Sequence, residues 1–81
     1  MTDEQIMTLV KEALDEVAPG KSKALEGVTL EATIADLNLD SVSTMEMLGV
    51  IEERLDATFP DEDLMNLHKL SDVARLVRSV S

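Results

Sequence analysis

The stretch LNLDSVSTMEML, residues 37–48, carries the reading of the whole chain. It sets Asp40 and Ser41 at the head of an amphipathic run. Aspartate is a favoured N-cap there, because its carboxylate accepts hydrogen bonds from the first unpaired backbone N–H groups. At about 100° per residue, Thr44, Met47, Leu48, Ile51 and Leu55 gather on one side as a core stripe. Val42, Met45 and Gly49 fall on the other side among Glu46, Glu53 and Asp56, with Ser41 and Glu52 at its edge nearer the core. The helix is expected to run from Ser41 to Asp56. Phe59-Pro60 stops it, since a residue before proline disfavours the helical region. With Asp40 as cap, the Ser41 hydroxyl at the first helical position is left free, near the positive end of the helix dipole. An anion attached to that oxygen would be favoured.

Upstream, Thr2 and Gln5 have the spacing of a capping box, and Ile6, Leu9, Val10, Ala13, Leu14 and Val17 recur at helical period until Pro19-Gly20 ends the run. The connection from Lys21 to Asp40 is long for so small a chain, and such loops tend to be functional. Its Val28, Leu30, Ile34, Leu37 and Leu39 are expected to dock on the core, with one helical turn near Thr33 to Leu37. Downstream, Asp61 to Asn66 reads as a short helix. Ser71 can cap a last helix with Val73, Leu76, Val77 and Val80 on one face. Neither an internal repeat nor a clear period-two alternation is visible. The expected fold is all-α, a single domain over 1–81: a small bundle of three main helices plus one short helix, with a long loop between the first two.

Composition removes several classes of function. The 81 residues include no cysteine and one histidine, His68, so disulfides, thiolate chemistry and a structural zinc site are not expected. Seventeen Asp and Glu against seven Lys and Arg leave a net charge of −10, which repels nucleic-acid phosphates and favours basic partners. Phe59 is the only aromatic residue, so bases and sugars find no stacking platform. A hydrophobic content of 44% nevertheless argues for a folded chain. No basic-then-apolar leader opens the sequence, and no apolar run is long enough for a membrane span; a monomeric, cytoplasmic protein without stable membrane insertion is expected.

Two other chemistries are tested by spacing. Asp36, Asn38 and Asp40 match the first, third and fifth ligand positions of a calcium-binding EF loop, but Ser41 stands where glycine is needed and Met47 where the bidentate glutamate belongs. No metal site is expected. The segment LDSVS lacks the glycines of a nucleophile elbow, and His68, in LMNLHKL, has no orienting partner beyond nearby acids. It reads as a surface or loop histidine, and no catalytic residue is expected. An acidic helical face is also compatible with a protein-interaction domain that is never modified.

With these residues in view, the chain resembles the acyl carrier proteins of the phosphopantetheine-binding family over nearly its whole length. In that family a long loop leads into a Leu-X-X-Asp-Ser-Leu type motif opening the second helix, and Leu37-Asn38-Leu39-Asp40-Ser41-Val42 occupies those places. Glu46, Glu52 and Glu53 match acidic positions of the family's recognition helix, and Phe59-Pro60-Asp61-Glu62 matches the passage into the third. The resemblance implies a non-catalytic carrier. A phosphopantetheinyl transferase would move 4′-phosphopantetheine from coenzyme A onto Ser41, supported by Asp40, and the terminal thiol would carry acyl intermediates of fatty acid, polyketide or related lipid synthesis.

The docking face for that transferase, and for basic-faced loading ligases, synthases and acyltransferases, would comprise Val42, Met45, Glu46, Gly49, Glu52, Glu53 and Asp56. An acyl chain would shelter between the second and third helices against Met47, Leu48, Ile51, Leu64, Met65 and Leu67. An aminoacyl or D-alanyl carrier shares the same site and differs in cargo. Asn38 and Leu39 stand where the usual fatty-acid carriers have glycine and a small residue, and Ser43 and Arg54 replace acids. These departures point to a specialised carrier with an altered outer surface.

Overall fold

Four α-helices form most of the computed structural model, which describes residues 1–37 and 39–80: α1 (Asp3–Val17), α2 (Ser41–Leu55), α3 (Asp61–Met65) and α4 (Leu70–Val80). The architecture is all-helical, as the periodicities require. Two 3₁₀ turns, Lys21–Leu25 and Ala35–Leu37, lie in the loop between α1 and α2. The second is the turn expected there; the first is not signalled by the sequence pattern.

The capping box of α1 is complete. Gln5 N–H donates to the Thr2 hydroxyl at 3.1 Å, and Thr2 N–H donates to the Gln5 side chain at 2.9 Å. Ile6, Val10, Ala13 and Leu14 are buried, while Leu9 and Val17 are partly so. Gly20 then turns the chain with φ at 91°, a left-handed conformation that costs glycine little.

The loop is anchored at both ends. Ile34, Leu37 and Leu39 are buried and Val28 and Leu30 half-buried, as the sequence suggests, but Leu25 is also fully enclosed. Loop carbonyls then start the last helix: Leu70 N–H donates to Ala32 at 3.0 Å and Ser71 N–H to Leu30 at 2.8 Å. Asp72 turns back to accept from His68 N–H and Lys69 N–H, both at 3.0 Å. Ser71 is therefore inside α4 and is not its cap; the carboxylate three residues after Lys69 and two loop carbonyls do that work. Leu70, Val73, Ala74, Leu76 and Val77 are buried, whereas Val80 lies past the end of the core and is 38% exposed.

Helix α2 ends one residue before the expected boundary, because Asp56 adopts φ 52° and becomes its left-handed C-cap. Met47, Leu48 and Ile51 are buried in its core stripe and Leu55 partly. Thr44 departs from that stripe: it is half-buried, and its hydroxyl donates to the Asp40 carbonyl at 2.8 Å. α1 and α2 form the largest helix–helix interface. Arg54 fastens it, reaching Glu12 at 2.7 Å and Glu16 at 3.0 Å. Helix α3 contrasts with the others. It stops at Met65, with Asn66 as its cap, and buries none of its residues. Phe59, buried just before it, anchors the approach. No helix among the described residues is long and apolar enough to cross a membrane.

Candidate functional site

Ser41 is the first residue of α2, exposed, and its hydroxyl makes no hydrogen bond among the described residues. Asp40 is the reason it is free. The Asp40 carboxylate accepts the Ser43 N–H at 2.7 Å, so capping is done by the neighbour. That backbone hydrogen bond, and next the Ser43 hydroxyl, hold the Asp40 carboxyl below the usual carboxylate range, with the Lys21 ammonium adding a weaker pull. Asp40 therefore stays ionised and in place near neutral pH. The Ser41 oxygen sits at the positive end of a 15-residue helix.

Beside Ser41 opens a groove of about 470 Å³. Ile34, Ala35 and Leu39 form its loop wall, Thr44 and Met45 its α2 wall, and Leu64, Met65, Leu67 and His68 the opposite side. Leu64, Met65 and Leu67, expected at an apolar pocket, line it. Met47, Leu48 and Ile51 do not: they are 0%, 1% and 0% exposed, closed within the core by neighbouring side chains. The open space therefore lies nearer the long loop than the sequence suggests. Thr44 and Met45 are three and four residues after Ser41, hence on the same helical face, a spacing that is legible in advance. Ile34 and Leu39 have no such signal, because only the folded loop brings them there.

On the outer face, Val42 is 66% and Met45 49% exposed, and Glu46, Gly49, Glu53 and Asp56 are exposed around them. Glu52 is different. It is half-buried and its carboxylate accepts the Phe59 N–H at 2.8 Å, which ties down the link to α3. Arg54 is also not part of the outer face, since it is turned to α1. Leu39 is buried, so neither residue alters the surface a partner would read. Ser43 supports Asp40. Asn38 lies outside the described residues. His68 is exposed in the loop before α4, where its carbonyl accepts from Ile34 N–H at 2.8 Å.

Among the described residues no group of three or more His, Asp or Glu is placed to hold a metal ion. Nor does any described side chain hydrogen-bond to the Ser41 oxygen as a base would. The arrangement suits a covalently attached anion with a long arm: a free oxygen, a favourable dipole and an apolar trough beside it.

Comparison with known proteins agrees with this chemistry. Residues 4–77 match the family model described as the phosphopantetheine attachment site. The chain is 36% identical over 80 residues to the acyl carrier protein of an Exiguobacterium species, covering 98% of each chain. It is 32% identical over 80 residues to that of Exiguobacterium sibiricum, again covering 98% of each. With the acyl carrier protein of Campylobacter fetus it shares 31% identity over 72 residues, 88% of this chain and 94% of the relative. No solved structure matches the chain.

Proposed function

The chain belongs to the phosphopantetheine attachment-site family, and from that premise we propose that Ser41 is the residue that takes 4′-phosphopantetheine from coenzyme A, for the carriage of acyl groups. Like the acyl carrier proteins it is similar to, it is a carrier and not a catalyst. The observation that carries the assignment to Ser41 is its uncommitted, exposed hydroxyl, kept free by Asp40 at the head of α2.

When attached, the group supplies a terminal thiol that holds cargo as a thioester, chemistry that a chain without cysteine does not supply by itself. The residues do the rest of the carrier's work. Ser41 presents its oxygen and gives up its proton to the transferase. Asp40 fixes the first turn of α2 so that this oxygen keeps its position. Met45, Leu64, Met65 and Leu67 offer apolar walls to a fatty or polyketide chain, each buried methylene being worth about 0.8 kcal/mol. The methionines are unbranched and repack at low cost as chain length changes. Val42 and Met45, flanked by Glu46, Glu53 and Asp56, form a docking face for the transferase and for basic-faced loading enzymes.

Incubation with coenzyme A and a phosphopantetheinyl transferase is expected to raise the intact mass by about 340 Da, with the added mass mapped to the peptide containing Ser41. Ser41→Ala is expected to fold like the parent and gain nothing. Modification that persists in Ser41→Ala, or that maps to Ser43, removes the assignment.

A further inference from the structure

We infer that His68 is a positioning residue for the arm attached at Ser41: its imidazole donates a hydrogen bond to an oxygen of the hydroxyl and amide segment that follows the phosphate, and so holds the arm against the groove. The inference rests on Ser41 being the attachment residue. It assigns a role to the chain's one histidine, which neither capping nor core packing uses.

The make-up of the groove is the first observation. Ser41 and His68 line it from opposite sides, and every other lining residue except Thr44 is apolar. The Thr44 hydroxyl is already committed, donating to the Asp40 carbonyl at 2.8 Å. Once Ser41 carries the arm, His68 is therefore the one side chain lining the groove with an N–H free to donate, since neutral imidazole keeps one such donor and its ring makes no hydrogen bond among the described residues. Apolar walls with a single fixed polar group are how a groove orients a ligand. The start of the arm has the matching make-up: beyond the phosphate come two geminal methyl groups, then a hydroxyl and an amide.

The second, independent observation is how His68 is held. Its N–H donates to the Asp72 carboxylate at 3.0 Å and its carbonyl accepts from Ile34 N–H at 2.8 Å. Thr33 and Lys69 form an antiparallel bridge beside it, and Leu70 N–H donates to the Ala32 carbonyl at 3.0 Å. The backbone at His68 is thus pinned between the long loop and the start of α4, while its ring stays exposed and unbonded. A fixed backbone lowers the ordering cost of any hydrogen bond the ring makes. Tethering lowers the affinity required as well, because the arm is joined to Ser41 and meets the ring at the high effective concentration of an intramolecular contact. One hydrogen bond is then enough to favour the docked arm, and weak enough to release it when cargo must be handed on.

The test compares the full chain by NMR before and after loading with coenzyme A and a phosphopantetheinyl transferase. With one histidine in the sequence, its ring signals need no assignment by mutation. Loading is expected to shift the ring C–H signals and to give nuclear Overhauser contacts between them and the geminal methyls of the arm. In loaded His68→Ala the amide proton of the arm nearest the phosphate is expected to return to its position in free coenzyme A, and in His68→Gln, which keeps a donor, to stay displaced. Both variants are expected to melt like the parent before loading, because the ring bonds to nothing in the fold. Ring signals that ignore loading, or an arm amide that does not respond to His68→Ala, overturn the inference while leaving Ser41 in place. A parent that gains no mass overturns the Ser41 assignment, and this inference with it.

Discussion

Asp40 and Asp72 begin two helices by different routes, and both carboxyl groups titrate low because they accept backbone N–H groups. For Asp40 the folded value lies below the unfolded one of about 3.9. Its charge therefore contributes stability that is present above that value and lost as pH falls through the folded one. Asp40→Asn keeps a capping side chain and removes the charge. Its melting temperature is expected to fall below the parent's at pH 7, with the gap closing as the parent's own carboxyl is protonated below about pH 4. Thermal melts of both proteins across that range decide it. Leu25 makes the complementary point for the core. It sits in a loop but is fully enclosed, so Leu25→Ala is expected to cost about 2–5 kcal/mol in urea unfolding, as a buried helical leucine would.

The elements are unequally held. α1 and α2 share the largest interface and the Arg54 clamp, whereas α3 has five residues, none buried, and makes only slight contact with the other helices. A helix this short gains little from its own hydrogen bonds. The Glu52 carboxylate on Phe59 N–H is one of the few polar ties on its approach. Amide exchange is therefore expected to be fastest in α3, and Glu52→Ala to speed it at Phe59 and through α3 while leaving α1 unchanged. Equal acceleration in α1 would mean that Glu52 supports the whole bundle. Arg54→Glu sets three carboxylates against each other between α1 and α2. It is expected to lower the melting temperature at low ionic strength and to regain part of the loss in salt.

The whole molecule carries a charge of −10 on 81 residues, and this self-repulsion opposes compaction. The melting temperature of the parent is expected to rise as sodium chloride is increased from about 10 to 200 mM, a range in which the screening length falls from about 30 Å to under 10 Å. Millimolar magnesium is expected to act in the same direction. A melt that ignores both would mean that the repulsion is already relieved within the fold. The acids without a cation partner among the described residues are spread over the surface, with Glu4 and Asp15 on α1 and Glu26 and Asp36 in the first loop as well as Glu46, Glu53 and Asp56 around α2.

What the sequence alone determined is what depends on neighbours close in the chain. The capping box of Thr2 and Gln5, the cap of Asp40, the buried stripe of Met47, Leu48 and Ile51, and the stop before Pro60 all follow from local hydrogen bonding and helical period. Ser41 is legible for the same reason, because its freedom depends on the residue before it. Contacts between distant segments were decided only by the tertiary structure. Arg54 reads as a surface change until α1 brings Glu12 and Glu16 to it. Glu52 reads as a docking acid until the chain returns at Phe59. Ser71 reads as a cap until Leu30 and Ala32 supply the carbonyls instead. The groove is the clearest case: its walls come from a loop, α2, and α3 with the turn after it, and no period in the sequence records a space lined by three separate segments.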